Sequence, residues 1–193
     1  MFLGGVWQGM RAYLLRKGDT MGLGRLVVRT AVGGFFIGHG TQKLFGWFGG
    51  GGLKKTGEGF EAIGLAPGRR NALVAGLAES GGGALLALGL ATPLAETALI
   101  SVMLTAIRTV HWKNGPWATN GGYEYNVVLI AALLGLAESG PGRLSLDRAL
   151  GIERSGLPLL VAVAALSAAG SLVATAAPAS PPTGEETAEP VGA

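Results

Sequence analysis

The sequence predicts an all-α fold, a polytopic membrane helical bundle with four core transmembrane helices and a fifth helix near the C-terminus. Three observations predict it. Of the 193 residues, 49% are hydrophobic and only 14% are charged, whereas ordinary soluble domains carry roughly 25% charged residues. Five apolar segments approach the length of about 20 residues that a helix needs to cross a bilayer. Most Lys and Arg residues lie in the short stretches between these segments.

The first apolar segment, residues 26–47, carries glycines that predict close helix packing. Gly34 and Gly38 are four residues apart and therefore share one helix face, where small residues let a neighbouring helix approach. Residues 1–22 contain basic side chains but no uninterrupted apolar run with a cleavage site, so they do not read as a signal peptide. We expect them to form an interfacial segment against the membrane, followed by a four-helix membrane domain over residues 23–150.

The remaining segments are predicted in order along the chain. A short link through Thr92 and Pro93 joins the second and third segments, which we expect to form an antiparallel hairpin with Thr92 as N-cap and Pro93 at the first helical position. The fourth segment is a little short for a span. The second, third and fourth segments cover residues 71–93, 94–112 and 123–137. The fifth covers residues 157–177, within an additional transmembrane region at 151–177. Residues 178–193 are Pro-rich and acidic, and we expect them to be disordered.

Glu79 is the one ionisable side chain in the middle of the second segment. A carboxylate at the centre of a spanning helix costs roughly 2.5–3.5 kcal/mol on insertion scales, so it is expected to face a protein interior or a water-filled cavity. A functional role and a structural hydrogen bond between helices both satisfy that expectation. By contrast, Glu96 lies in the first turn of the third helix, where we expect it only to stabilise the helix N-terminus.

The loops after the first and third helices are predicted to lie on the same side of the membrane, because successive spans alternate in direction. These loops hold both histidines and three of the four tryptophans. His39 and Lys43 are four residues apart and share a helix face, with Glu79 deeper in the bundle. We therefore predict catalytic roles for Glu79, His39 and Lys43, and binding roles for His111, Trp112, Trp117, Glu124 and Arg108.

Simpler roles stay open for several of these loop residues. Trp side chains at helix ends are commonly interfacial anchors, which applies to Trp112 and Trp117. Glu124 sits where an acidic residue stabilises a helix N-terminus. The two histidines could be axial ligands of a b-type haem, but such pairs arise readily by chance, and we expect neither haem nor a metal site.

Composition also narrows the chemistry and the partners. The chain has no cysteine, which excludes disulfides, iron–sulfur clusters, a thiolate nucleophile and Cys-ligated zinc. The net charge of +3 comes from basic residues beside helix ends. The expected partner for that charge is therefore the lipid bilayer, through its anionic headgroups, and no nucleic acid is expected.

Several stretches together resemble the DoxX family of small bacterial integral membrane proteins. They are RTAVGGFFIGHGTQK at 29–43, Glu79 with the following Ser-Gly-Gly-Gly, HWKNGPWATNGGYE at 111–124 and GPGRLSLD at 140–147. The resemblance implies a four-helix membrane bundle whose founding relatives are membrane subunits of a thiosulfate:quinone oxidoreductase. Other relatives belong to membrane complexes that handle oxidative stress. By matching position, the implied motif residues are Gly40, Lys43, Glu79, Gly82, Glu124 and Asp147, and the fifth segment departs from the family pattern.

These observations predict a multi-pass plasma (inner) membrane subunit of a quinone-linked redox system. Such a subunit would not be active alone and would act with protein partners in a membrane redox complex. The sequence does not identify a cofactor, and quinone is the candidate. Two functions of other classes stay open: a permease that couples movement of a small solute to protonation of Glu79, and a non-catalytic scaffold that docks soluble partners on the loop face.

Overall fold

The fold is an all-α bundle, as the sequence predicts. The structure is a computed structural model that describes the backbone of residues 3–176 and the side chains from residue 22 onward; the predicted acidic tail lies outside these residues. Every regular element in the described part is helical. The helices are α1 (Leu3–Phe45), α2 (Gly52–Ala62), α3 (Gly68–Leu88), α4 (Thr92–Ala106), α5 (Glu124–Ser139), α6 (Leu146–Ala149) and α7 (Leu157–Ala176).

Within residues 3–176, three helices are long and apolar enough to cross a membrane. They are α3, which has 21 residues, the helix that runs from the start of α4 to Asn114, which has 23 residues, and α7, which has 20 residues. The last of these is the predicted fifth segment. In α1, a single helix joins residues 3–22 to the first predicted span without a break, and the interfacial placement of residues 1–22 stays a prediction. The 16 residues of α5 pack against α4 and α7.

The turn between α3 and α4 differs in detail from the prediction. Thr92 is the first residue of α4 rather than its N-cap, and Ala91 before it takes a left-handed conformation with φ of 47°. The cap comes from Asp147, whose carboxylate accepts hydrogen bonds from Ala91 N at 2.7 Å, Thr92 N at 2.9 Å and Thr92 Oγ1 at 2.7 Å. A distant carboxylate thus replaces the local hydroxyl, because two charge-assisted bonds satisfy the free N–H groups better than one neutral acceptor.

Helices α1 and α3 pack backbone to backbone through glycines. A Cβ on Gly40 would lie 2.5 Å from Ser80 N, and a Cβ on Gly83 would lie 2.6 Å from Gly33 O. The predicted pair was wrong, since Gly34 and Gly38 have no neighbouring atom within 4 Å of a Cβ position. Each residue along a helix turns the side-chain direction by about 100°, so the contact face contains Gly33 and Gly40 and the neighbouring glycines face outward.

We expect Gly83→Ala to lower the free energy of unfolding by roughly 1–3 kcal/mol, the usual effect of overpacking, because the added methyl group would meet the backbone of α1. The matched variant Gly34→Ala places the same methyl group in open space and is expected to leave stability unchanged or slightly raised. Unfolding by a denaturing detergent in mixed micelles measures both. Equal stabilities of the two variants would contradict the glycine contact.

The core of the bundle lies around α4. Leu99 and Ile100 of α4, Leu86 of α3 and Leu133 of α5 are buried. On its other side α4 packs closely against α7 through small side chains. There Ser167 Oγ donates to Thr97 O at 3.2 Å, and the hydroxyl oxygens of Thr105 and Ser171 are within hydrogen-bond distance at 3.1 Å. Small residues with inter-helix hydrogen bonds are typical of packing between membrane helices, so α7 is an integral part of the bundle.

Candidate functional site

The glycine contact between α1 and α3 brings together two residues predicted from the sequence. Lys43 lies in the last turn of α1, where the helix dipole favours a cation, and Glu79 lies in the middle of α3. Lys43 Nζ donates to Glu79 Oε2 at 2.6 Å. The Glu79 side chain is only 3% exposed and the Lys43 side chain is 23% exposed. The carboxylate is therefore buried with its charge compensated by one ammonium group.

The Lys43–Glu79 pair lies on the wall of a cavity of about 670 Å³, within the roughly 300–1,000 Å³ of small-molecule sites. Residues of α1, α2, α3, α4, α5 and α7 line it, and most of the wall is apolar. The apolar lining side chains include Phe36, Phe60, Ile63, Leu65, Met103 and Leu129. An apolar wall with a few convergent polar groups is the usual form of a ligand site.

Four of the predicted site residues line this one cavity: His39, Lys43, Glu79 and His111. His39 is exposed at the loop end of α1 and close enough to Glu79 to interact with it electrostatically. His111 lies at the end of a π-helical turn over Ile107–His111 that continues α4, and its Nδ1 is 2.7 Å from Gly121 O. π-turns within helices frequently mark functional sites, and this one directs residues 109–111 toward the cavity.

The other four predicted residues do not line the cavity. Arg108 and Glu124 are exposed, and Glu124 occupies the first turn of α5. Trp112 is 68% exposed and stacks on Tyr123, with ring centroids 5.5 Å apart, and Trp117 is 64% exposed. Their positions fit the simpler roles of interfacial anchoring and helix-end stabilisation.

Two asparagines in the cavity wall were missed from the sequence. Asn71 Nδ2 donates to Leu65 O at 2.9 Å and so fixes the turn between α2 and α3 over the cavity. Asn126 is buried in α5 and its Nδ2 lies 3.3 Å from Met103 Sδ. The available signal was a polar amide at the edge of each apolar segment, but an amide there does not reveal which helix face it occupies.

A second buried polar cluster lies at the opposite end of the bundle. Arg29 is fully buried, and its Nη2 donates to Leu144 O at 2.6 Å. Its charge interacts with Asp147, the cap of α4. The expectation for Glu96 was wrong. Helix α4 begins at Thr92 and has no acidic residue in its first turn. Glu96 is only 1% exposed, and its Oε2 has no hydrogen-bond partner among the described residues. The position of Glu96 along α4 could not show, from the sequence, that neighbouring parts of the bundle cover this side of the helix.

Comparison with known proteins gives one match. Residues 24–112 match the family model DoxX, a range that contains Arg29, Lys43, Glu79 and Glu96. Neither the curated proteins nor the solved structures give a match. The matched range covers α1 from residue 24, α2, α3 and α4 with its π-turn, and it ends before α5, α6 and α7.

Proposed function

We propose, from the match of residues 24–112 to the DoxX family of membrane proteins, that the chain is a plasma-membrane subunit of a quinone-linked redox system. It would act with protein partners that carry electrons to the quinone. The quinone is the substrate of this subunit, and it would bind in the cavity beside Glu79. The observation that carries the proposal is the Lys43–Glu79 pair in the apolar wall of that cavity.

The cavity residues fit a quinone ring. A quinone is a flat, uncharged and largely apolar ring with two oxygen acceptors. Apolar side chains cover most of the wall. The Lys43 ammonium group has three N–H donors, and one of them donates to Glu79, which leaves two for a ring oxygen. Since Lys43 and Glu79 compensate each other's charge, an uncharged head is favoured over an ion of either sign.

Proton delivery is the chemistry that this chain would supply. Reducing a quinone to a quinol takes two electrons, which come from the partner, and two protons, which must reach the ring oxygens inside an apolar site. Glu79 can hold a proton at the cavity wall and release it to a bound oxygen, while Lys43 compensates the carboxylate that remains. His39 is exposed at the loop end of α1 and can replace that proton from solvent, because an imidazole can act as both acid and base.

We expect Lys43→Met to weaken quinone binding at least tenfold, about 1.4 kcal/mol, because it removes the donor at the cavity wall and leaves the Glu79 carboxylate unpaired. Binding of a benzoquinone to the full chain in lipid nanodiscs measures this. The matched control is Lys54→Met, which changes an exposed lysine of α2 and should bind as the unsubstituted protein does. The proposal fails if the unsubstituted protein binds no quinone, or if both variants bind equally well.

A further inference from the structure

The cavity has an apolar arm that extends away from the Lys43–Glu79 pair. On α4 and its π-helical continuation the lining residues run from Ala98 to Val110, twelve residue-to-residue steps and therefore about 18 Å of helix. Across α4 from Glu79, the lining continues onto α7 at Gly170 and Ala174. A Cβ on Gly170 would lie 2.7 Å from Ser101 Oγ, so the α7 backbone closes directly on α4 there. A small head group at Glu79 would leave this arm unfilled.

The arm is apolar in chemistry although hydroxyl residues line it. Ser101 Oγ donates to Thr97 O at 2.7 Å, Thr105 Oγ1 to Ser101 O at 2.8 Å, and Thr109 Oγ1 to Thr105 O at 2.9 Å. Each of these three hydroxyl groups is thus bonded to a carbonyl one turn earlier in its own helix. A polar solute would find few groups to replace its water along this wall, whereas a hydrocarbon chain requires none.

Exposed lining residues on both flanking helices leave the arm open at the side of the bundle. Val74 of α3 is 58% exposed and Ala174 of α7 is exposed, and both helices are long and apolar enough to span a membrane. If both helices span the bilayer, the opening beside them would face its hydrocarbon. A chain attached to a head group at Glu79 could therefore leave the cavity directly into lipid.

From this geometry we infer that the arm binds the apolar tail of an amphiphilic ligand whose uncharged head lies at Lys43 and Glu79, and that α7 sets the fit of the tail. The inference rests on the proposed function for the identity of the head. Charge compensation within the Lys43–Glu79 pair selects an uncharged head, and the apolar arm selects a tail. The α7 wall lies beyond the residues that match the family model, 24–112, so it is a feature of this chain outside the matched domain.

A tail that moves from lipid into the arm exchanges one apolar environment for another and gains little from the hydrophobic effect. Its binding depends on van der Waals contact and on the space available. A bulky side chain in the arm should therefore act as a steric block on the tail while leaving the head site intact. Ala174→Phe is that change, and Ala169→Phe is its matched control, because Ala169 is exposed on the same helix and does not line the cavity.

Two probes separate tail from head: a benzoquinone with a decyl tail and the same ring without a tail. Binding of each is measured to the full chain in nanodiscs, and each probe is compared only across variants. We expect Ala174→Phe to weaken binding of the tailed probe at least tenfold and to change binding of the tail-less probe less than twofold. Ala169→Phe should leave both unchanged. Retained binding of the tail-less probe by Ala174→Phe also shows that the variant is folded.

The remaining outcomes overturn either this inference or the proposed function. If Ala174→Phe weakens both probes equally, or neither, the arm does not bind the tail, and the quinone site at Glu79 still stands. If the unsubstituted protein binds the tail-less probe but not the tailed one, the arm is closed to a tail and the inference is wrong. If it binds neither probe, the proposed function fails and the inference fails with it.

Discussion

Replacing Glu79 with Gln is expected to slow quinone reduction by roughly 10²–10⁴-fold, the range by which a positioned acid or base contributes. The amide keeps the volume of the side chain and can still accept a hydrogen bond from Lys43. In the unsubstituted protein, Lys43 Nζ lies 2.6 Å from Glu79 Oε2. It cannot hold a transferable proton. The measurement is quinol formation by the complex recovered from native membranes through a tag on this chain, with thiosulfate as the first electron donor.

The matched control for this prediction is Glu58→Gln, which makes the same change at an exposed position of α2 outside the cavity. It should leave the rate of quinol formation unchanged. Recovery of the partner proteins with both variants shows that assembly is intact. A Glu79→Gln complex that reduces quinone at the unsubstituted rate would show that Glu79 only holds α1 and α3 together.

The second large effect concerns stability, and we expect Asp147→Ala to lower the free energy of unfolding by about 3–5 kcal/mol. The carboxylate accepts three hydrogen bonds from Ala91 and Thr92 at the start of α4, and its charge compensates the fully buried Arg29. Its removal leaves two backbone N–H groups without their acceptor and leaves the buried guanidinium of Arg29 without that nearby negative charge. Asp147→Asn should fall in between, since it keeps one acceptor oxygen but loses the charge.

An exposed ion pair close by in the chain gives the comparison for Asp147. Arg148 Nη1 and Glu153 Oε2 are 2.8 Å apart, but the Arg148 side chain is 55% exposed. Pairs of this kind contribute about 0–1 kcal/mol, so Glu153→Ala should change the unfolding midpoint little. Both variants are measured by unfolding in mixed micelles. If Asp147→Ala unfolds as Glu153→Ala does, the buried cap does not hold α4 in place.

The bundle and part of the site follow from the sequence for clear physical reasons. Long apolar segments in a sequence indicate membrane-spanning helices directly, because the thickness of the bilayer sets the length of a spanning helix. The insertion cost of a mid-span carboxylate made Glu79 informative on its own. Lys43 and His39 followed from their helical spacing, and both line the same cavity as Glu79.

Other parts of the site depend on which way each helix faces, and that is decided by packing between helices. Gly33 and Gly34 are adjacent glycines that look alike in the sequence. Gly33 packs against α3, whereas the Cβ position of Gly34 has no neighbouring atom within 4 Å. Glu96 has the sequence signal of a helix N-terminus, yet the folded bundle buries it. The contribution of α7 to the cavity at Ala174 was likewise hidden, because an Ala-rich apolar helix has no distinctive face in sequence.

The glycine contact between α1 and α3 also determines which walls of the cavity can move. Where Gly40 meets Ser80 and Gly33 meets Gly83, the backbones of the two helices are in direct contact, which leaves little room for one helix to shift against the other. We therefore expect the backbones of α1 and α3, which carry Lys43 and Glu79, to move together. Any change in the shape of the cavity during ligand binding is then expected in its other walls, which α2, α4, α5 and α7 form.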